Sequence, residues 1–438
     1  MAAPSARELA DARWWPGPGL GAEGLAALLA RAGVALAAGA IDLKSSRRKA
    51  LYPLALGAGA VDHLLKVNDY RGVAWLRRLR RSKSRRELAR ARAAAARGVP
   101  TPVPAAAGEL RRAGVLQRCY LLVPRVPGAV DLLVMHRERL GDARERRAWT
   151  RELGALTLRM HCAGVYQADL APNNFLWRPA PSPRLWAVDF ERVRLSRPLS
   201  RTARRLLLAK LDRHFADASA AGRMRFLVAY TAGDRSAARS WWRALEAYAP
   251  HLARRDLAHW RRTALRASRR FAPVEQAGFS GWARREAPLG DLSRALEAER
   301  ESAVWVHALG AAGVRSAGRA WSLAQVLWQR ALSPLPLALL RRGGEAWLLF
   351  ARAPGGQRLA GADPGAARRA LALALDRLLA LGADCEDLEP DDFVLECGPL
   401  GVRRARLLEV RALDGRGGTR PTPRRWARAL ADRLVAGS

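Results

Sequence analysis

Apolar and polar positions alternate in blocks along the chain, and the blocks predict its elements. A polar start leads into a Pro/Gly turn, WWPGPG (Trp14–Gly19), and an Ala/Leu-rich stretch to about residue 38 that predicts a short helix. Two strand-like runs follow, Ala50–Leu56 (ALYPLAL) and Val61–Val67 (VDHLLKV), with GAGA as the turn between them. The segment SKSRRELARARAAAARG lacks β-branched residues and stops at Gly98, which predicts a helix. GVPTPVP (Gly98–Pro104) breaks the chain. The apolar run VLQRCYLLVPRVPGAVDLL then predicts one or two strands and a connector at Val123–Gly128. Trp149, Leu153, Leu156 and Met160 recur at three and four, one stripe of a helix over residues 143–163, with His161 as a packed or capping residue at its end. Residues 203 to about 270 read as helical, with Trp and Leu on one face and Arg on the other. Such a face is solvated or lies on an acidic membrane surface.

The second half repeats part of the first. GADCEDLEPDDFVL (Gly382–Leu395) aligns without a gap on GVYQADLAPNNFLW (Gly164–Trp177), so that Gly382, Asp387, Leu388, Pro390 and Phe393 stand over Gly164, Asp169, Leu170, Pro172 and Phe175. The preceding helices also superpose, and WLLFARAPGGQRL resembles YLLVPRVPGAVDL. A repeat of this size changes the fold expected of the chain. The second copy has no lysine after Lys210, carries Asp392 in place of Asn174, and offers Glu409 or Val410 where Asp189 stands. It reads as a degenerate, non-catalytic module with a docking or substrate-binding role.

At 438 residues, 50% of them hydrophobic, the chain is long enough for two domains with cores of their own. The net charge of +36 favours anionic partners: phosphate groups, acidic lipid headgroups or nucleic acid. Nearly all of it is Arg; the lysines are Lys44, Lys49, Lys66, Lys83 and Lys210. Cys119, Cys162, Cys385 and Cys397 have no paired spacing, so neither a disulfide framework nor a zinc site is expected, and a reduced cytosol is the expected compartment. There is no secretory signal pattern at the start and no apolar run of the roughly 18–20 residues needed to span a bilayer, so membrane contact is expected to be peripheral. No aromatic-plus-basic module of a nucleic-acid binder is recognisable, and no nucleic-acid partner is expected.

The candidate chemistry lies between His161 and Leu195. Asp169, Asn174 five positions on, and Asp189 at the end of an apolar run give D-x-x-x-x-N followed by D-F. Phosphoryl transfer from a metal-bound nucleotide needs this order: one carboxylate orients the acceptor hydroxyl, while an amide oxygen and a second carboxylate hold the metal. Lys66, near the end of a strand, and Glu87, on a helix about twenty residues later, are candidates for the pair that grips the nucleotide phosphates. A snorkelling strand lysine and an exposed helix salt bridge are their structural alternatives. No glycine-rich loop precedes these strands; the turn Ser45-Ser46-Arg47-Arg48 is the candidate cover for the phosphates. Arg192, Arg194, Arg197 and Arg201 either receive an anionic substrate or solvate a loop. The arrangement requires Lys66 and Asp189 to meet in space.

HCAGVYQADLAPNNFLW followed by LWAVDFERVRL resembles the lipopolysaccharide core kinases (Kdo/heptose, WaaP-like), whose fold is protein-kinase-like. The resemblance falls on His161, Gly164, Val165, Tyr166, Asp169, Leu170, Asn174, Asp189, Phe190 and Arg192, and covers roughly residues 36–235. It departs at Gln167, where the family usually has His; Gln also donates and accepts hydrogen bonds. The resemblance implies a bilobal kinase-like domain over 36–235; with the repeat, which is not part of the family pattern, the chain is expected to be α+β and helix-rich, with an extension over 1–35, a helical linker over 236–274 and the degenerate kinase-like module over 275–438. The resemblance also implies Asp169 as the catalytic group, Lys66, Glu87, Ser45, Ser46 and Arg47 on ATP, Asn174 and Asp189 on Mg²⁺, and a Kdo or heptose hydroxyl of the inner core as acceptor, at the cytoplasmic face of the inner membrane. Two other readings stay open: a protein or small-molecule kinase on the same fold, and a pseudokinase scaffold without turnover.

Overall fold

A computed structural model describes residues 3–39, 44–46, 48–57, 61–71, 73, 75–137, 142–180, 184–215, 218–268, 270–276, 278–287, 304–309, 317–330, 332–352, 356–359, 363–381, 388, 393–398, 401–408 and 423–436. The fold is α+β and rich in helix. It divides into two compact units, Met1–Leu207 with Gly222–Ser240, and Leu208–Ala221 with Trp241–Ser438.

The first unit is built on a six-stranded antiparallel sheet. Its strands are β1 (Arg13–Pro16), β2 (Lys44–Ser46), β3 (Lys49–Leu54), β4 (His63–Asp69), β5 (Ala106–Arg112) and β6 (Val115–Pro124), in the order β1-β5-β6-β4-β3-β2. Side chains in a strand alternate between faces. Ala50, Tyr52 and Leu54 of β3 and Leu65 and Val67 of β4 therefore enter one core, which leaves Lys66 on the opposite face. Helices α1 (Ala6–Ala10) and α2 (Ala22–Ala37) pack on that core through Leu9, Leu28, Ala32 and Leu36, so the N-terminal residues share the sheet's core instead of preceding it as an extension. WWP is likewise no turn: it forms β1, an edge strand on β5, and the Trp14 ring stacks on Tyr120. An edge strand tolerates Pro16 because one side of its backbone needs no ladder partner.

A short helix α3 (Trp75–Arg78) precedes α4 (Lys83–Ala96), where Ser82 caps the start by accepting from the Arg85 amide. Glu87, Leu88, Ala91 and Ala94 form the buried face of α4, a period of three and four. After β6 come β7 (Val130–Asp131), α5 (Leu132–Arg137) and α6 (Ala143–Cys162). Trp149, Leu153, Leu156 and Met160 are all buried on α6, the stripe their spacing predicts. Four short strands then carry the candidate chemistry: β8 (Val165–Gln167), β9 (Phe175–Trp177), β10 (Leu185–Ala187) and β11 (Val193–Leu195), with β11 pairing β8 and β9 lying between β10 and β7. Helices α7 (Arg201–Asp212), α8 (Ala220–Tyr230) and α9 (Arg235–Thr263) follow. His161 is a packed residue: it is buried, and its Nδ1 lies 2.9 Å from the Tyr230 hydroxyl.

The second unit has a five-stranded antiparallel sheet of β12 (Phe271–Gln276), β13 (Phe279–Arg284), β14 (Val304–Leu309), β15 (Pro336–Arg342) and β16 (Glu345–Ala351), in the order β12-β13-β15-β16-β14. Helix α10 (Ala317–Gln329) lies in sequence between β14 and β15. Beyond them, β17 (Gly356–Arg358), α11 (Pro364–Ala380), β18 (Phe393–Gly398), β19 (Gly401–Leu407) and α12 (Pro423–Ala436) complete the described elements. Ala253, Leu257 and Trp260 of α9 are buried in one core with Phe271, Trp321 and Phe350, so the stretch expected as a linker belongs in part to this core.

Between the two units the small sheets correspond. Both place the strand that begins at the matched phenylalanine, Phe175 or Phe393, between a short earlier strand and the strand that follows. Both phenylalanines are fully buried. The larger sheets differ: β4, the third strand of the hairpin series in the first unit, is internal, whereas β14 is an edge strand of the second. Gly382, Asp387, Pro390, Asp392, Glu409 and Val410, on which the sequence comparison leaned, lie outside the described residues.

Candidate active site

The face of β4 that carries Lys66 is the face that α4 covers. Lys66 Nζ donates to both oxygens of Glu87, at 3.2 and 3.0 Å, and to Asp189 Oδ1 at 3.1 Å. The required meeting of Lys66 and Asp189 is thus a contact across 123 residues of chain. Burial opposes the charge on Lys66, but Glu87 and Asp189 outweigh it and hold the ammonium well above the ordinary lysine range. Glu87 is shifted upward in turn, first by its burial and then by the neighbouring carboxylates Asp189 and Glu191, although Lys66 pulls it down.

Asp189 ends β10's apolar run in a left-handed backbone conformation, φ 60° and ψ 70°, which few non-glycine residues adopt. Gln167 fixes that turn: its Nε2 donates to the carbonyls of Val188 at 3.0 Å and Asp189 at 3.4 Å. The Gln that replaces the usual His therefore braces the Asp189 loop with its amide. Asn174 is tied to the same turn, because its carbonyl accepts from the Val188 amide at 2.9 Å. Its side-chain amide donates to the Asp169 carbonyl at 2.6 Å, which leaves the carboxamide oxygen for another partner. Asp169 itself is exposed, and its Oδ2 is held by Arg192 at 2.7 Å. Arg192, a candidate for an anionic substrate, thus sits on the candidate catalytic carboxylate; Arg194 and Arg197 are exposed beyond it.

The segment expected to cover the phosphates lies at the end of the β2–β3 hairpin. Ser45 and Ser46 lie in β2, their backbones opposite Ala50 and Lys49, and Arg47 lies outside the described residues.

Sequence reasoning passed over three residues that the fold brings here. Glu191, two positions after Asp189, accepts from Lys49 at 2.6 Å and Lys83 at 2.7 Å and lies 4.0 Å from Lys66. Burial resists its ionisation, but Lys49 and Lys83 prevail and hold the carboxyl down to about 2. Composition carried the missing signal. Of 76 basic residues only five are lysines, and Lys49, Lys66 and Lys83 converge on neighbouring carboxylates. Where nearly every cation is Arg, a retained Lys marks a place for a compact ammonium with three donors, not a planar fork.

Oxygens of Glu87, Asp189 and Glu191 lie within 4.8 Å of one another. A cluster of this kind could hold a cation, although Lys66 occupies both oxygens of Glu87 and Lys49 and Lys83 occupy Glu191.

Residues 69–248 match the lipopolysaccharide kinase (Kdo/WaaP) family. That span is under half the chain; it holds Glu87, Asp169, Asn174 and Asp189, and Lys66 lies just before it. No curated protein matches the chain. A solved structure described as "WaaP in complex with acyl carrier protein" aligns with 20% identity and a TM-score of 0.38, over 54% of this chain and 98% of that one. Among the described residues, no helix is long and apolar enough to cross a membrane.

Proposed function

We propose that the chain is an ATP-dependent phosphotransferase acting on a sugar hydroxyl, and that residues 36–235 form a bilobal, protein-kinase-like catalytic domain. The observation that carries this reading is the convergence of Lys66, Glu87 and Asp189, which come from a sheet strand, a helix and a loop. Lys66, fixed by Glu87, grips the α- and β-phosphates of ATP. Asn174 and Asp189 hold Mg²⁺, which neutralises charge on the transferring phosphate when bound. Lys49 and Lys83 add two ammonium groups beside the same site. Asp169 orients the acceptor hydroxyl and receives its proton.

Arg192 must leave Asp169 for that step. Both partners are more than half exposed, so the pair is weak and an anionic acceptor can draw Arg192 away. The family match over residues 69–248 supports a Kdo or heptose of the lipopolysaccharide inner core as acceptor, reached at the cytoplasmic face of the inner membrane. Fold alone does not separate this from a protein or small-molecule acceptor. Residues 275–438 are read as a degenerate kinase-like module, on the strength of the matching small sheets, and as non-catalytic because they hold no lysine.

The Asp169–Arg192 pair also favours a second reading, a pseudokinase scaffold whose base is permanently occupied. Turnover decides between them. The full chain, with Mg-ATP and purified core oligosaccharide, should add one phosphate by mass, and Asp169→Asn should abolish this while melting like wild type. Undiminished transfer by that variant refutes the assignment of Asp169; no transfer by the wild type to core oligosaccharide, to a casein-like protein or to water, with Mg-ATP bound, favours the scaffold.

A further inference from the structure

Large apolar side chains are seldom left in water, and here they are concentrated. Among the described residues the exposed ones are Val34, Trp75, Leu76, Leu79 and Val134, and three of these fall within five positions. Trp75, Leu76 and Leu79 are 63%, 61% and 49% exposed. They sit on and just after α3, in the sequence WLRRLRR, with Arg80 and Arg81 exposed beside them.

The segment is held from behind. Arg111 donates to the carbonyls of Arg78 at 3.2 Å and Arg80 at 2.9 Å, while Arg78 Nε donates to the Leu116 carbonyl at 3.0 Å. Glu109, buried, binds Arg111 at 2.8 Å and accepts from the Ser82 amide at 2.8 Å. Buried charge is costly unless paired and hydrogen-bonded. Here Glu109 and Arg111 serve to fasten the backbone of a short segment whose apolar side chains stay outside.

We propose that Trp75, Leu76 and Leu79 form a wedge that enters the headgroup region of an anionic bilayer, with Arg80 and Arg81 on the lipid phosphates. Three observations choose this occupant. Trp and Leu above a rim of Arg are the residue types that partition at an interface while their cations meet anionic lipid. The net charge of +36 draws the whole chain to such a surface. The patch sets three large exposed apolar side chains within five positions beside two exposed arginines, and a bilayer asks for no complementary surface. The helices over residues 201–263, whose basic amphipathic pattern suits either solvent or an acidic membrane surface, contribute none of the large exposed apolar side chains among the described residues. The wedge deepens the glycolipid reading, and its use to the cell rests on that reading, but the binding itself does not.

The test is flotation of the full chain with vesicles of phosphatidylglycerol and phosphatidylethanolamine, or of phosphatidylcholine alone. The wild type should float with the anionic vesicles, less so as salt rises, and not with the neutral ones. The triple variant Trp75→Ser/Leu76→Ser/Leu79→Ser should bind at least tenfold more weakly, while Val34→Ser, on an isolated exposed site, should bind as wild type. Thermal stabilisation by Mg-ATP, measured on the same samples, should be equal in all three proteins. A triple variant that floats like wild type, a Val34→Ser protein that loses binding equally, or a wild type that floats with neither vesicle overturns the proposal; the last would favour an acidic protein as occupant. Loss of Mg-ATP stabilisation in the wild type with flotation intact would count against the kinase reading and leave the wedge standing.

Discussion

Glu191 offers a measure of how strongly the candidate site is held together by charge. Replacing it with Gln keeps its shape and removes the carboxylate that Lys49 and Lys83 share. Those lysines hold its carboxyl down to about 2 from an ordinary 4.5. That difference corresponds to about 3 kcal/mol at neutral pH, at 1.36 kcal/mol per unit. Lys49 and Lys83 are 44% and 38% exposed, so solvent screening brings the expected loss to ~1–2 kcal/mol. Because the carboxyl is lowered in the folded state, its stabilisation is complete above the unfolded value of 4.5 and is lost as pH falls towards 2. Thermal melts of the full chain should therefore show Glu191→Gln below wild type by roughly 2–8 °C at pH 7. By about pH 3, or the lowest pH at which both still melt cooperatively, the gap should have narrowed by more than half. Equal melting temperatures at neutral pH, or a gap that does not change with pH, would refute the account of Glu191 as an ionised clamp between two lysines.

Three further outcomes follow from single residues. His161, buried and pushed down to about 3, stays neutral while the unfolded chain takes up a proton below 6.5; wild type should lose about 2 kcal/mol between pH 7 and pH 5, and a pH series of urea unfolding should show His161→Phe without that slope. Gly164 has φ +72°, and a Cβ there would stand 2.2 Å from the Ser196 carbonyl oxygen, so Gly164→Ala should cost ~2–3 kcal/mol in the same assay, and a neutral result would contradict the close approach. Gln167→Ala removes the donors to the Val188 and Asp189 carbonyls; phosphate transfer should fall at least tenfold with Gln167→His retaining more activity than Gln167→Ala, and the reverse order would show that the brace is not what position 167 supplies.

Local chemistry wrote much of this arrangement into the chain. The spacing of Trp149, Leu153, Leu156 and Met160 is a property of one helix, and so legible. Lys66 and Glu87 were legible as a strand lysine and a helix glutamate, since each depends on its own element. Misreadings came where a neighbour decides. WWPGPG contains every turn signal, yet Trp14 and Trp15 pair with Gly108 and Ala107 of β5, because that edge was open to a strand. Ser45 and Ser46 looked like a loop, but the β3 backbone draws them into a hairpin. Residues 236–274 read as a linker because amphipathic periodicity does not say which core receives the apolar face; Leu257 and Trp260 found one.

The sequence by itself determined which residue types are available for chemistry and how far apart they stand along the chain: Asp169, Asn174, Asp189, and a lysine in a strand. Only the tertiary structure decided that Glu191 bridges Lys49 and Lys83 and that Arg192 rests on Asp169. It also left Trp75, Leu76 and Leu79 in the open while the apolar faces of longer helices were covered. The reason is one of range. Turn and helix preferences act over a few residues and can be read in order, whereas an ion pair between positions 49 and 191 exists only once strands and loops distant in the chain have been brought within 3 Å.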